Sequence, residues 1–367
     1  MRVLKFSFQG YRNLHEGTLL PHAGTNVIFG KNAQGKTNLL EAMWLFTGGH
    51  SFRGAKDAEL VGFGEPSCSL QMDFFSQERE QFAKLSLQNG RRQVELNGVK
   101  KRSAASLVGK FCAVVFSPAH LSLVKDGPAA RRGFLDGALC QSRPAYAKEF
   151  FLYQRTLQQR NALLKDIPRH RELFSTLEIW DEKIARCGAD LIWQRQEYLQ
   201  RLSAAAQEAY RGISKQKETL GIAYQSSLGK HVDAMERSAI QALFWEKLES
   251  SRTADVALGY TSCGPHRDDM ELMLDGVSAR SFGSQGQQRS IVLALKLAEA
   301  ELLCAVTGEQ PVVFLDDVMS ELDAGRQEYI LHCLDGRQVF LTCCDPRTIR
   351  DFQKGGLFHI ENGAVIF

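Results

Sequence analysis

Thr25-Asn26-Val27-Ile28-Phe29-Gly30-Lys31-Asn32-Ala33-Gln34-Gly35-Lys36-Thr37 joins a short apolar run to a glycine-bounded loop that ends in Lys-Thr. The residues that follow space Leu39, Leu40, Met43 and Trp44 as one face of a helix, which Gly48-Gly49 stops. Strand, glycine loop and helix start, in that order, are the context a phosphate-binding loop requires. Its glycines let backbone N–H groups approach a phosphate closely, and the helix end adds roughly half a positive charge. Lys36 is then expected to reach the β- and γ-phosphates, and the Thr37 hydroxyl to bind Mg²⁺. The stretch predicts ATP binding by Gly30, Lys31, Asn32, Ala33, Gln34, Gly35, Lys36 and Thr37.

Three further segments carry matching chemistry. Pro311-Val312-Val313-Phe314-Leu315-Asp316-Asp317 reads as a buried strand that delivers two acids to its C-terminal edge. Asp316 is expected to hold Mg²⁺, and Asp317 to polarise the attacking water, making Lys36 and Asp317 the catalytic pair. Ser281-Phe282-Gly283-Ser284-Gln285-Gly286-Gln287-Gln288-Arg289 opens a helix running to Val306, and a serine and glycine at a helix start form an anion site. Ser320-Glu321-Leu322-Asp323 follows the acidic strand, where Ser320 and Asp323 would equally cap a helix.

Around these segments the chain changes character twice. Up to about residue 130 it is β-rich, with Asn89-Gly90 and Asn97-Gly98 between alternating segments, the signal for hairpins. From 131 to 252 glycine thins out. Phe150, Leu157 and Leu164 recur every seven residues, as do Leu177, Ile184, Leu191 and Tyr198, with Ile167-Pro168 as a breaker between the sets. That predicts a short helical arm with an antiparallel first pair. From 253 to 367 strands and helices alternate again, including strands at Met270–Leu274 and Val339–Thr342 and a hairpin over Leu357–Phe367. The expected plan is an α/β domain built from 1–130 and 253–367 and interrupted by the insertion.

Composition limits the function classes. A net charge of +3 excludes a globally basic polyanion binder, so any nucleic-acid contact must use local patches. Nine cysteines without zinc-like pairs predict a reduced, cytoplasmic chain. The N-terminus alternates like a strand rather than a signal peptide, and no apolar run is long enough for a membrane span.

In this order the four elements resemble the ABC-type ATPase heads of the SMC group, and within it the chain is similar to the RecF family of bacterial recombination mediators. The closer likeness is carried by Gly35-Lys36-Thr37-Asn38-Leu39-Leu40-Glu41, Phe116-Ser117-Pro118, Leu123-Val124-Lys125, Arg131-Arg132, Phe134-Leu135-Asp136, Gly264-Pro265-His266-Arg267-Asp268-Asp269 and Asp316-Asp317-Val318-Met319-Ser320-Glu321-Leu322-Asp323. The resemblance implies an α/β, ABC-type (SMC-like) ATPase head with a helical insertion domain. It implies that Ser284, Gly286 and Gln287 cap the ATP held at Lys36 of a second copy, giving an ATP-dependent homodimer. It adds Asn38, Arg53 and Asp323 to the nucleotide contacts. It further implies binding to DNA at single-stranded gaps and duplex junctions, with RecO and RecR as partners and RecA loading in repair, replication and the damage response as the outcome. Arg91, Arg92, Lys100, Lys101 and Arg102 on the hairpins, with Arg131 and Arg132, supply the basic residues for phosphate contacts without base reading. The head of another SMC-like repair protein and a transporter ATPase subunit are the alternatives, and the long stretch between Lys36 and Asp316 argues against the transporter.

Two departures matter. Ala119 and His120 stand where the family usually carries acidic residues. Thr342-Cys343-Cys344 stands where most ABC heads place a switch histidine, and Asp317 is shorter than their usual glutamate. The first leaves metal or water contacts there open, whereas the missing imidazole and the shorter Asp317 predict slow hydrolysis, not well above the ~10 s⁻¹ of a median enzyme, as suits a switch rather than a motor.

Overall fold

Val3, Phe6, Phe8 and Tyr11 are buried on the first strand, and the chain opens as the antiparallel pair β1 (Arg2–Tyr11) and β2 (Leu14–Leu19). β3 (Thr25–Phe29) feeds the glycine loop and α1 (Lys36–Trp44). β4 (Ser67–Ser76), β5 (Arg79–Gln88), β6 (Arg91–Leu96) and β7 (Val99–Lys101) form an antiparallel meander. Two of its turns are Asn89-Gly90 and Asn97-Gly98, with positive φ at all four residues, the backbone that two-residue hairpins demand. After β8 (Ala113–Phe116) come α2 (Ser122–Lys125), α3 (Pro128–Ser142), α4 (Pro144–Asp166) and α5 (Leu177–Ser214). β9 (Leu220–Gln225), α6 (Arg237–Leu258), β10 (Asp269–Leu274), β11 (Val277–Ser278), α7 (Ala279–Phe282) and α8 (Gln285–Thr307) follow. The chain closes with β12 (Val312–Leu315), α9 (Ala324–Cys333), β13 (Val339–Cys343), β14 (Gly356–Glu361) and β15 (Ala364–Ile366). The structure is a computed structural model that describes residues 1–230, 232–345 and 355–366, so the end of the expected hairpin at Phe367 lies outside the described residues.

The chain forms two compact units, Met1–His120 with Leu293–Phe367, and Leu121–Val292. The second runs beyond the expected 131–252 at both ends. It takes in Met270–Leu274, which the sequence places in the returning α/β domain. β10 instead pairs with β9 and β11 in a three-stranded sheet of the second unit.

The first unit holds two six-stranded sheets, in the orders β2-β1-β4-β5-β6-β7 and β15-β14-β3-β13-β12-β8. In the second sheet β14, β3, β13, β12 and β8 run parallel. Every residue of β8, β12 and β13 is buried, as the near-continuous apolar runs of parallel strands require. One core contains Phe6, Phe8, Leu70 and Phe74 from the first sheet, Leu39, Leu40 and Met43 from α1, and Ile28, Phe314 and Phe340 from the second. β13 lies between β3 and β12, so the glycine loop, Thr342 and the Asp316-Asp317 pair all emerge at one carboxyl edge. That edge is where open α/β sheets bind ligands.

The second unit is mainly helical, with α5 packed against α4 and α6. Leu164, Leu177, Ile184, Leu191 and Tyr198 are buried as their seven-residue spacing predicts, whereas Phe150 and Leu157 are only half-buried. On α4 the buried seven-residue row is Tyr146, Tyr153 and Arg160, a polar face rather than an aliphatic one. Polar groups this deep need partners. Arg160 Nε donates to Asp181 at 2.7 Å, and its Nη1 to Asp255 and Thr261 at 2.8 Å each. Arg195 makes a two-pronged pair with Asp136 at 2.8 and 2.9 Å and donates to the Pro265 carbonyl at 2.6 Å. Asp268 accepts from the Tyr224 hydroxyl and the Ser227 amide, each at 2.7 Å. The Gly264–Asp269 string is therefore a structural knot.

His266 sits inside this knot, 2.7 Å from the Tyr153 hydroxyl and 3.0 Å from the Thr261 carbonyl. The carbonyl can only accept, so Nε2 carries the proton and Nδ1 accepts from Tyr153. Burial, with Arg267, Arg132 and Arg195 nearby, outweighs the Thr261 bond and lowers its pKa from 6.5 to about 4. Between those values the unfolded chain binds a proton that the native state refuses, so stability falls as pH drops through this window. Urea melts of the wild-type chain should lose about 2 kcal/mol more between pH 7 and pH 5 than melts of His266→Gln. Equal losses in the two proteins would show that the ring is already charged in the fold.

Candidate nucleotide site

The glycine loop is shaped by backbone that side chains rarely tolerate. Gly30 has φ +151°, and a Cβ there would lie 2.2 Å from the Ile360 carbonyl oxygen. Gly35 has φ +112° and opens α1 with no side-chain cap. The first amide bonded back across this helix start is Leu39 N to Gly35 O at 2.9 Å. The N–H groups before it are thus available to an anion. Lys36 is buried and its Nζ donates to the carbonyls of Gly30 and Lys31 at 2.7 and 2.9 Å. Cys344 donates to Asn32 Oδ1 at 3.0 Å and lies 4.0 Å from Lys36 Nζ.

Across the sheet edge, Thr37 Oγ1 donates to Asp316 Oδ1 at 2.7 Å, and Thr342 Oγ1 donates to the same oxygen at 3.1 Å. Burial raises the Asp316 carboxyl above its ordinary value, while these two hydroxyl bonds pull it back. No hydrogen bond reaches Asp316 Oδ2 among the described residues. A hydroxyl and a carboxylate with one free oxygen are hard ligands suited to Mg²⁺, which keeps several waters and takes phosphate oxygens for the rest. The described residues hold no group of three or more His, Cys, Asp or Glu that would form an all-protein cage instead. Asp317 adopts φ +53°, and its N–H donates to Thr342 Oγ1 at 2.8 Å. His120 accepts from the Ser117 amide, and burial, aided by Lys296, pushes its pKa well below the ordinary histidine value.

Several groups that support the loop are not among the sequence-predicted residues. Asn13, in the turn between β1 and β2, donates to the Ala33 carbonyl at 3.0 Å and accepts from Asn38 at 2.7 Å. Asn38 in turn accepts from Arg53 Nη1 at 2.8 Å, which places the exposed Arg53 beside the loop. The Asn362-Gly363 turn between β14 and β15 clips the other side, its two amides donating to Gln34 Oε1 and O. Beneath α1, fully buried Glu41 accepts from Tyr11, Arg12 and Ser51, and the Ser51 hydroxyl caps the amide of Arg53. The Asn-Gly pair in an alternating segment is a readable signal; the contacts of Asn13 and Glu41 are not.

The remaining predicted residues fall into separate settings. Ser284 and Gln287, in the second unit, cap each other, Ser284 N donating to Gln287 Oε1 at 2.6 Å and Gln287 N to Ser284 Oγ at 3.3 Å. Gln287 Nε2 also donates to Glu218 at 2.6 Å, and Gly286 lies within the same first turn of α8. Asp323 caps α9, accepting from the Arg326 amide at 3.0 Å, so the capping alternative describes its present bonds. Among the basic residues, Arg91, Lys100 and Arg102 are exposed and Lys101 is half-buried on the β6–β7 edge. Arg92, Arg131 and Arg132 differ. Arg92 pairs with Asp57 at 2.6 Å and bonds the Gly49 carbonyl. Arg131 is 5% exposed and pairs two-pronged with Asp269, while Arg132 donates to the Asp268 carbonyl. Their partners lie far off in sequence, so charge alone could not separate these structural arginines from free ones.

Comparisons with known proteins follow the same lines. The profile of the RecF/RecN/SMC N terminal domain matches residues 2–364. The DNA replication and repair protein RecF of Acetivibrio thermocellus is 36% identical with all of both chains covered. That of Caldanaerobacter subterraneus subsp. tengcongensis is 40% identical, again over all of both. A solved structure of the recombination mediator protein RecF with ATP in the RecFOR pathway superposes with TM-score 0.91 at 37% identity, over 99% of this chain and 96% of that one. An Smc head domain from Pyrococcus furiosus, bound to the C-terminal domain of ScpA, shares the fold at TM-score 0.56 and 14% identity, over 99% of this chain and 94% of that one. The fold is thus an SMC-like ATPase head with a helical unit. Among the described residues no helix is long and apolar enough to cross a membrane.

The loop geometry makes Gly30 the sharpest probe of the site. Gly30→Ala should abolish binding of a fluorescent ATP analogue, because the new Cβ and the Ile360 carbonyl cannot coexist at 2.2 Å. Wild-type affinity in that variant would mean that the loop is not held as described.

Proposed function

The chain belongs to the RecF family, and from that premise we propose that it is an ATP-gated, DNA-binding dimer that acts as a recombination mediator in repair and replication. The observation that carries the reading is the Thr37–Asp316 contact beside the buried Lys36, which assembles a metal-ready hydroxyl and carboxylate next to an open helix N-terminus. Gly30 to Thr37 cradle the triphosphate through backbone N–H groups, with Lys36 on the β- and γ-phosphates and Asn38 and Arg53 near the γ-phosphate. Thr37 and Asp316 would hold Mg²⁺, which would supply charge neutralisation at the transferring phosphate. Asp317 accepts a proton from the attacking water as its oxygen bonds to the γ-phosphorus. The bond to the bridging oxygen then breaks, leaving ADP and phosphate.

Ser284, Gly286 and Gln287 belong to the partner copy's ATP. Each copy completes the other's site, so ATP joins the two and hydrolysis lets them part. With Thr342-Cys343-Cys344 in place of a switch histidine, the γ-phosphate lacks an imidazole, and turnover is slow enough to time release. Asp323 joins the nucleotide contacts only on leaving its cap. DNA at gaps and junctions meets Arg91, Lys100, Lys101 and Arg102 through phosphates, with RecO and RecR as partners in loading RecA. Arg92, Arg131 and Arg132 support the fold instead.

Gel filtration with and without Mg-ATP tests the proposal. The wild-type chain should shift to a dimer with ATP, and Lys36→Ala and Ser284→Arg should remain monomers. Joint replacement of Arg91, Lys100 and Arg102 by Gln should leave the dimer intact. Gapped-DNA affinity should then fall, with up to about three units less slope against log salt. A wild-type chain that stays monomeric in saturating Mg-ATP contradicts the shared site.

A further inference from the structure

We propose that Thr342 is a positioning residue for hydrolysis, its single hydroxyl joining the metal-side Asp316 to the water-side Asp317. The inference rests on the reading of Asp316 and Asp317 given above. Thr342 is 2% exposed at the carboxyl end of β13, the strand between the one that feeds the glycine loop and the one that delivers the two acids. A hydroxyl has one proton to give and lone pairs to accept with. Here the proton goes to Asp316 Oδ1 at 3.1 Å, and a lone pair takes the N–H of Asp317 at 2.8 Å.

Both bonds constrain the acids. The first, together with the Thr37 hydroxyl on the same oxygen, fixes the carboxylate plane and leaves Oδ2 without a hydrogen bond among the described residues, open to a cation. The second holds Asp317 at φ +53°, in the left-handed region that non-glycine residues seldom adopt. That conformation turns the chain sharply after Asp316, so the two neighbouring carboxylates can serve different atoms. The Ser320 hydroxyl, 3.0 Å from the Asp317 carbonyl, braces the turn from the other side. With Thr342 so deeply buried, water cannot replace its hydroxyl.

Thr342→Val keeps the branched shape and removes both bonds. It should lower kcat by about 10- to 100-fold, the usual effect of removing a group that orients a metal ligand. ATP affinity in saturating Mg²⁺ should change little, while the Mg²⁺ concentration for half-maximal ATP binding should rise about tenfold. Thr342→Ser, which restores the hydroxyl alone, should return both quantities towards wild type. Thr342→Ala, read in the same way, stands in if the valine variant does not fold. Wild-type kcat and Mg²⁺ dependence in Thr342→Val would overturn the proposal, and so would a serine variant as impaired as the valine one. If wild type turns over ATP no faster than Asp317→Asn, the hydrolysis reading fails by itself. The Mg²⁺ dependence of ATP binding then decides the role of Thr342 alone.

Discussion

The 2.7 Å bond from Thr37 to Asp316 depends on three parallel strands standing in the order β3, β13, β12. Thr37 and Asp316 come from opposite ends of the chain, and only this adjacency brings them to one edge. The strands can stand there because β12 and β13 are buried throughout and β3 is buried at Asn26, Val27 and Ile28. Core packing of Ile28, Phe314 and Phe340 against α1 thereby sets the geometry of a polar site a few residues away. What the site adds is local: glycines where no Cβ fits, and an aspartate bent into the left-handed region.

The loop is also held from outside. Asn13 on one side and the Asn362-Gly363 turn on the other bond its backbone, while Glu41 ties α1 to Arg12 and to the segment that carries Arg53. A phosphate-binding loop works by presenting N–H groups already in place, so such braces spare the binding step the entropy of ordering them. The second unit solves a different problem. Its long helices meet over buried arginines and aspartates, and removing one member of such a pair costs about 3–5 kcal/mol because the other is left charged and unpaired. Gly264–Asp269 is the meeting point of these networks, which accounts for a charged string inside a folded unit.

Some of this was legible in the residues and some was not, for physical reasons. The glycine loop, the acidic strand and the Asn-Gly turns announce themselves because their signals are local and steric. The helices of the arm follow from apolar spacing, yet on α4 the apolar row of Phe150 and Leu157 is half-buried while Tyr153 and Arg160 lie inside. β4 and β9 carry no turn signal as clear as Asn-Gly, and β9 redirects Met270–Leu274 into the second unit. Arg92 and Arg131 looked like surface charge, since nothing near them in sequence reveals Asp57 or Asp269. Only the folded chain sorts structural arginines from free ones.

The central claim is that each ATP is held by two copies of this chain. Mixing two defective chains tests it most directly. A Lys36→Ala chain lacks its own phosphate contact but keeps Ser284, and a Ser284→Arg chain has the reverse defect. A dimer of one of each retains one intact shared site, formed by Lys36 of the second and Ser284 of the first. In Mg-ATP, light scattering of the mixture should therefore show dimers that neither variant forms alone. A mixture that stays as monomeric as its components, while wild type dimerises under the same conditions, would contradict the account.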